Sequence, residues 1–467
     1  MIHRAYLQRS LVEVLLPDGH KLWDDELRAI DPILDDEAIV ELVAEALRRR
    51  RPLSAVRGRL GTPATVVLRL LILKHLYDWS FDECERVVRG SLVYRAFCRI
   101  DGERVPDAKT LIRLSQLLGP DTLKPILERV VQLARQRRVT RGARMRVDTT
   151  VVETNIHYPT DSSLLADGVR VLTRTMRRVA TRVGGVRVRN RTRSVARRVF
   201  EIVQRSRAAG RGTAAAQAKR QARVITLYRA VMAITRAVVR DAEAVGRHLT
   251  APRAEGVARL GRHLEETVSL VRRVLAQTRA RVLKGDPHHP DKVLSLFEPQ
   301  TEVIRKGKAA KPTEFGKVVK LQEADGHIIT DYAVCATRRP DDELWVPALE
   351  RHRALFGRPP HLAVADAGFA STANERAATD LGVPCVALPR RGRPSRHPPP
   401  RPRWYHRALR WRTGSEGRIS VVKRCHGLRR CRYRGLPGME RWVGLGVIAS
   451  NLRVLGRAGP PGLSRTR

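Results

Sequence analysis

Met145-Arg146-Val147-Asp148-Thr149-Thr150-Val151-Val152-Glu153-Thr154-Asn155-Ile156-His157-Tyr158-Pro159 is the stretch on which the fold turns. Val147, Val151, Val152, Thr149 and Thr150 are β-branched, and such side chains favour strands. The run therefore predicts a buried strand carrying one carboxylate. An Asp inside it is costly to bury without a partner. A metal ion is one such partner, which makes Asp148 a candidate first ligand of a Mg²⁺ site. The alternative is a strand-end Asp that caps a neighbouring loop.

Upstream of this strand the signals are helical. Ile39, Leu42, Val43 and Leu47 have helical spacing over 35–48, in an N-terminal helical arm of residues 1–60. Thr62-Pro63 reads as an N-cap with Pro at the first helical position. Ser80-Phe81-Asp82-Glu83 is a capping box, and Pro106-Asp107 starts a third helix. These short helices predict a helix-turn-helix-like bundle over 61–140. Arg86, Arg89, Arg95, Arg99, Lys109 and Arg113 decorate it, as candidate DNA contacts or as a solvated basic face.

Downstream the period changes. Leu165, Val169, Leu172, Met176, Val179 and Val183 recur three and four residues apart, as do Val224 to Val238 and Leu264 to Leu275. Long helices packed side by side are predicted over 163–284, with breaks at Gly184-Gly185 and Thr250-Ala251-Pro252. Strand chemistry returns after Lys284. Ala324-Asp325-Gly326 marks a hairpin between 317–323 and 327–335. Asp341-Asp342-Glu343 caps a helix that Gly357 ends. His361 to Asp366 reads as a buried strand with an Asp at its end, and Val383 to Leu388 as a last apolar strand. An Arg- and Pro-rich loop is expected over 390–403, a helix over 410–424, a core-closing segment over 445–452 and a disordered basic tail over 456–467.

The chain has 467 residues, with 90 Lys and Arg against 47 Asp and Glu, a net charge of +43. That length suits two or three domains. The charge points to a polyanionic partner, above all double-stranded DNA. Aromatic residues make up only 4% of the chain, and no stacking platform for RNA is evident. The six cysteines show no CxxC pairing, which fits a reduced cytoplasm. No signal-peptide pattern and no membrane-spanning apolar run is present, so no membrane partner is expected.

A mixed sheet whose strands present carboxylates, joined by a Glu on a nearby helix, can hold two Mg²⁺ ions about 3.5–4 Å apart. Asp148 and Asp366 are the strand-borne candidates. Glu416 is the third, because Arg412, Glu416 and Lys423 share one helical face, where two cations would hold phosphate beside the carboxylate. A surface salt-bridge row is the competing account, Gly414 and Gly417 count against a stable helix, and Glu440 is the rival carboxylate.

In these segments the chain resembles the DDE transposases of bacterial insertion sequences, most closely the ISNCY group. The likeness rests on Arg146 to Val152 with Ile156 to Leu165, on Ala365-Asp366-Ala367-Gly368-Phe369, on Glu416 to Lys423, on Gly438 to Gly444 and on the region from Leu68 to Phe97. It implies an α/β, RNase H-like mixed sheet over 141–455 that contains the helical insertion, preceded by a helical DNA-binding domain. It also implies Asp148, Asp366 and Glu416 as catalytic metal ligands for Mg²⁺, with Mn²⁺ as a substitute, and Arg412 and Lys423 on DNA. The implied reaction is cleavage at an element's terminal inverted repeats and strand transfer to target DNA, by a homodimer or larger assembly in the bacterial cytoplasm, at the nucleoid. A catalytically inactive DNA-binding derivative, or a nuclease on the same fold, is the alternative. Leu409 stands where the wider group has Tyr, with Tyr405 one helical turn earlier.

Overall fold

The computed structural model describes residues 2–5, 23–49, 61–184, 186–208, 210, 212–249, 255–305, 313–390 and 401–458. The chain divides into two compact units, Ile156–Glu302 and the remainder on either side of it in sequence. The expected breaks at Gly185 and over 250–252, and most of the loop over 390–403, lie outside the described residues.

The first unit opens with helices α1 (Asp25–Leu34), α2 (Glu37–Arg48), α3 (Ala64–Leu76), α4 (Phe81–Gly90), α5 (Leu92–Phe97), α6 (Ala108–Ser115) and α7 (Pro120–Gln136). The Ser80 capping box forms as predicted: its side chain accepts from the Glu83 amide, and Glu83 reaches back to the Ser80 amide. The start of α3 differs by one residue. Pro63, in extended conformation, is the N-cap itself, and no side chain caps this end. All thirteen residues of α3 are buried, so packing on every side replaces the missing cap. Its one arginine, Arg69, is fully buried and bonds to Asp31 and Asp35, the last of these at 2.7 Å.

Strand β1 (Arg144–Thr154) is the centre of a seven-stranded mixed sheet. Its partners are β3 (Glu314–Ala324), antiparallel along nearly its whole length, and β5 (Leu362–Val364), parallel beside Arg144–Arg146. The short β2 (Glu302–Ile304) lies outside β3, β4 (Ile329–Val334) pairs with β3, β6 (Cys385–Ala387) pairs with β5, and β7 (Arg430–Cys431) pairs with the end of β1. The predicted hairpin joins β3 to β4 through a 3₁₀ turn, Asp325–His327. Gly326 has φ 75° there, and a Cβ would lie 1.9 Å from the Val139 carbonyl oxygen, so only glycine fits.

Side chains alternate across β1. Met145, Val147 and Val151 pack on one face with Trp345 of α12 (Trp345–Phe356) and with Phe369. Val152 faces a second core, shared with the N-terminal helices and with the last helix. Arg146 and Asp148 have the parity of Val152 and lie on that second face. Between α12 and the next helix, α13 (Thr372–Asp380), the chain passes through β5 and the Asp366 turn.

Two helices complete the unit, α14 (Arg403–Cys425) and α15 (Gly435–Ala458). Gly414 and Gly417 do not break α14. Gly435-Leu436-Pro437-Gly438, which reads as a loop, is instead the first turn of α15. Proline is tolerated there because first-turn amides lack intrahelical acceptors. The helix also runs past Gly456, the expected start of the tail, to Ala458; residues 459–467 are not among those described. Asn451 seals the edge of β4 by accepting from the Ile329 amide at 2.9 Å and donating to its carbonyl at 2.7 Å.

The second unit is helical: α8 (Asp161–Val183), α9 (Thr192–Arg207), α10 (Ala214–Arg247) and α11 (Glu255–Thr278), ending in a single π turn, Arg279–Leu283. Leu165, Val169, Leu172, Met176 and Val179 form its seam with Val231 and Val271. No helix among the described residues is long and apolar enough to cross a membrane.

Candidate active site

The register of β1 and β5 builds the site. Arg146 pairs with Val364 in parallel. Two residues further along each chain come Asp148, still in β1, and Asp366, in the turn where the chain has left β5. Asp148 Oδ1 accepts from the Thr149 amide at 2.7 Å, and Oδ2 accepts from Ser415 Oγ at 2.8 Å. Burial raises the Asp148 pKa above the usual carboxylate range; the Ser415 hydrogen bond opposes this, and the charge of Asp366 adds to it. Asp366 is half-buried and accepts from the Gly368 amide at 2.8 Å. Its turn is anchored by the fully buried Phe369, whose carbonyl accepts from Asn374 Nδ2 at 2.9 Å.

Helix α14 crosses this face of the sheet. Arg146 is fixed by Glu323 through two hydrogen bonds, of 2.9 and 2.6 Å, and donates to the Trp411 carbonyl. A Cβ on Gly414 would lie 2.6 Å from Arg146 Nη1, so the glycine that weakens the helix locally is what lets it approach. Ser415 points into the sheet, and Glu416 points out: its side chain is 74% exposed and lies 3.6 Å from Arg412.

Asp148, Asp366, Arg412, Glu416 and Lys423 line a single cleft of about 1400 Å³. Glu153, Asp341 and Asp342 share it, and Arg338, Arg339, Arg424 and Arg429 add positive charge to its wall. Among the described residues no three of His, Cys, Asp or Glu stand close enough together to hold a metal ion. The two aspartates share the cleft and act on one another through their charges, and Glu416 lines it while paired with Arg412.

The remaining candidates lie elsewhere. Arg86, Arg89, Lys109 and Arg113 are exposed on α4 and α6 and do not line the cleft. Arg89 pairs with Glu85, and Arg113 donates to Thr110 Oγ1 at 2.8 Å. Arg95 is tied to the carbonyls of Asp101 and Glu103, and Arg99 to Asp31 and Asp35, so both serve the fold. Tyr405 is buried and donates to the Leu388 carbonyl at 3.2 Å, away from the cleft. Glu440 lies in α15 outside the cleft; burial, opposed by Lys124 and Arg441, raises its pKa.

Sequence reasoning missed Ser415, because a serine inside a helix carries no local mark of a partner on a distant strand. It also read Asp341 only as a helix cap, whereas its carboxylate accepts from Thr149 Oγ1 at 3.1 Å beside Asp148.

Two family models match the chain: a transposase domain (DUF772) over residues 13–117 and a transposase DDE domain over 394–456. The second includes Glu416, Arg412 and Lys423; Asp148 and Asp366 lie outside both. An uncharacterized protein, ORF8 of the nfe locus of Rhizobium meliloti, is 32% identical over 124 residues, which are 25% of this chain and 59% of the relative. No solved structure matches the chain. Both matches, one towards each end of the sequence, are to transposase domains, and together they support a likeness to the DDE transposases of insertion sequences.

Proposed function

We propose that this chain cleaves DNA at the ends of an insertion sequence and joins the freed ends to target DNA, with Mg²⁺ held by Asp148, Asp366 and Glu416 on an RNase H-like sheet. The observation that carries the reading is the pair of aspartates, one in β1 and one just past the end of the parallel strand β5, opening onto a cleft with Glu416 and a cationic wall.

The donor chemistry of these residues suits the metal. All three are carboxylates, the hard oxygen donors that Mg²⁺ takes while keeping several waters. Asp148 and Asp366 bring like charges together in a partly buried place, which a divalent cation offsets. Glu416 is the exposed donor that can join them. Metal bound there would activate the attacking hydroxyl and stabilise the leaving oxygen.

The protein's own groups do the rest. Thr149 and Ser415 hold the Asp148 carboxylate in one orientation. Arg412 and Lys423 bind phosphate oxygens and offset the negative charge that grows in the transition state. Arg338, Arg339, Arg424 and Arg429 extend the phosphate track along the cleft. The N-terminal helices bind duplex DNA through Arg86, Arg89, Lys109 and Arg113. Two element ends are cut by two copies of the chain or more.

The test uses the purified full chain, Mg²⁺ and a duplex carrying the element's terminal repeat. Cleavage to a 3′-OH, followed by joining to a second duplex, is expected. Cleavage without joining makes the chain a nuclease; binding without cleavage makes it an inactive derivative. Either result overturns the proposal.

A further inference from the structure

Ser415 is buried inside α14 yet sends its hydroxyl out of the helix, to Asp148 Oδ2 at 2.8 Å. A mid-helix serine commonly bonds back to the carbonyl four residues earlier. Here the hydroxyl is spent on a carboxylate of a different element. With the Thr149 amide on Oδ1, each oxygen of Asp148 has one fixed donor. A carboxylate accepts about four hydrogen bonds in all, so lone pairs remain on both oxygens for another partner.

The contact belongs to a two-point register lock. Arg146 and Asp148 are two apart on one face of β1, about 6.6 Å along a strand. Trp411 and Ser415 are four apart on one face of α14, about 6 Å along a helix. Arg146 donates to the Trp411 carbonyl and stacks over its ring at 4.8 Å, while Ser415 donates to Asp148. Together the two contacts hold one register of helix on strand. Glu323 holds Arg146 in place from β3, and Gly414 leaves the room that its guanidinium needs.

We infer that Ser415 is a positioning residue for the metal site: it fixes the orientation of the Asp148 carboxylate, and the lock that seats it sets which face of α14, with Arg412 and Glu416, is turned to the cleft. The inference rests on the proposed metal-binding role of Asp148. Ligands oriented by a hydrogen-bonded outer shell commonly lose about ten- to a hundredfold in metal affinity when that shell is removed.

The test is Mn²⁺ binding to the full chain without DNA, followed by the electron paramagnetic resonance of free Mn²⁺. S415A is expected to weaken binding by about tenfold or more, with hydrogen-exchange protection of α14 close to wild type. S415T, which keeps the hydroxyl, is expected to restore affinity. Wild-type affinity in S415A overturns the inference. So does an S415T that folds with a protected α14 but binds as weakly as S415A. Failure of the underlying reading looks different: the wild type binds no Mn²⁺, or D148A binds it as well as wild type, and the inference then falls with that reading.

Discussion

Asp148, inside β1, and Asp366, two residues past the end of the neighbouring parallel strand β5, face one cleft, and the charge of Asp366 acts on Asp148. Each is held by a backbone amide, Thr149 for one and Gly368 for the other. D148A and D366A should each abolish Mg²⁺-dependent end cleavage while leaving DNA binding near wild type, because a lost metal ligand weakens the transition state more than the ground state. Cleavage of labelled ends and gel-shift affinity, measured on the same preparations, check this. Wild-type nicking by either variant removes that aspartate from the triad.

The choice between Glu416 and Glu440 now rests on place, since both are helical. Glu416 lines the cleft with the aspartates, and Glu440 does not. E416Q should lose end cleavage and stay folded by circular dichroism, whereas E440Q should retain at least partial activity. A dead E440Q beside an active E416Q reverses the assignment.

The Arg146–Glu323 pair is buried on both sides. Removing one partner strands a buried charge, at a cost of about 3–5 kcal/mol. R146M should therefore lower the unfolding midpoint of the full chain sharply, and R146M combined with E323M should recover much of the loss. Denaturant titration of the three proteins decides it, and additive losses in the double variant would contradict the account.

Acid should destabilise the first unit before its carboxylates titrate. Burial lowers the His426 pKa to about 3 and that of His352 to about 4, and it takes His75 well below its ordinary 6.5. Hydrogen bonds to the His75 and Gly142 carbonyls oppose the shift at His426 and His352, and Lys74, Arg418, Arg453 and Arg457 add to it around the His75–His426 pair. Above pH 6.5 these imidazoles are neutral in both states. Below it the unfolded chain takes up protons that the folded chain refuses, so stability falls as pH drops towards the folded values. The thermal midpoint should decline between about pH 6.5 and 5, and H426Q/H352Q should flatten that decline. A wild-type midpoint constant over this window would sink the prediction.

The net charge of +43 should make duplex binding steeply salt-dependent, because each neutralised phosphate releases counterion. R338A/R339A should reduce the slope of log affinity against log salt by about 1–2, since each phosphate contact contributes roughly 0.9. Fluorescence anisotropy with a labelled element end, across a salt series, measures both slopes. An unchanged slope takes these two arginines off the phosphate track.

What the sequence determined by itself was local. The β-branched run around Asp148, the Ser80 capping box, the Asp325-Gly326 hairpin, the Gly357 stop and the seam from Leu165 to Val179 depend on neighbours within a turn or a strand, and short-range spacing encodes such neighbours. Tertiary structure decided the rest. Arg69 and Arg146 look like their exposed counterparts in sequence, yet each is buried against carboxylates far along the chain. Gly414 reads as a helix breaker until Arg146 is set beneath it, and Gly435 to Gly438 reads as a loop until α15 packs over β4. The placement of Asp148 and Asp366 in one cleft, and of Ser415 on Asp148, follows from strand register and helix docking. Both are set by long-range packing, in which a shift of one residue turns every side chain to the other face, and no local pattern records that choice.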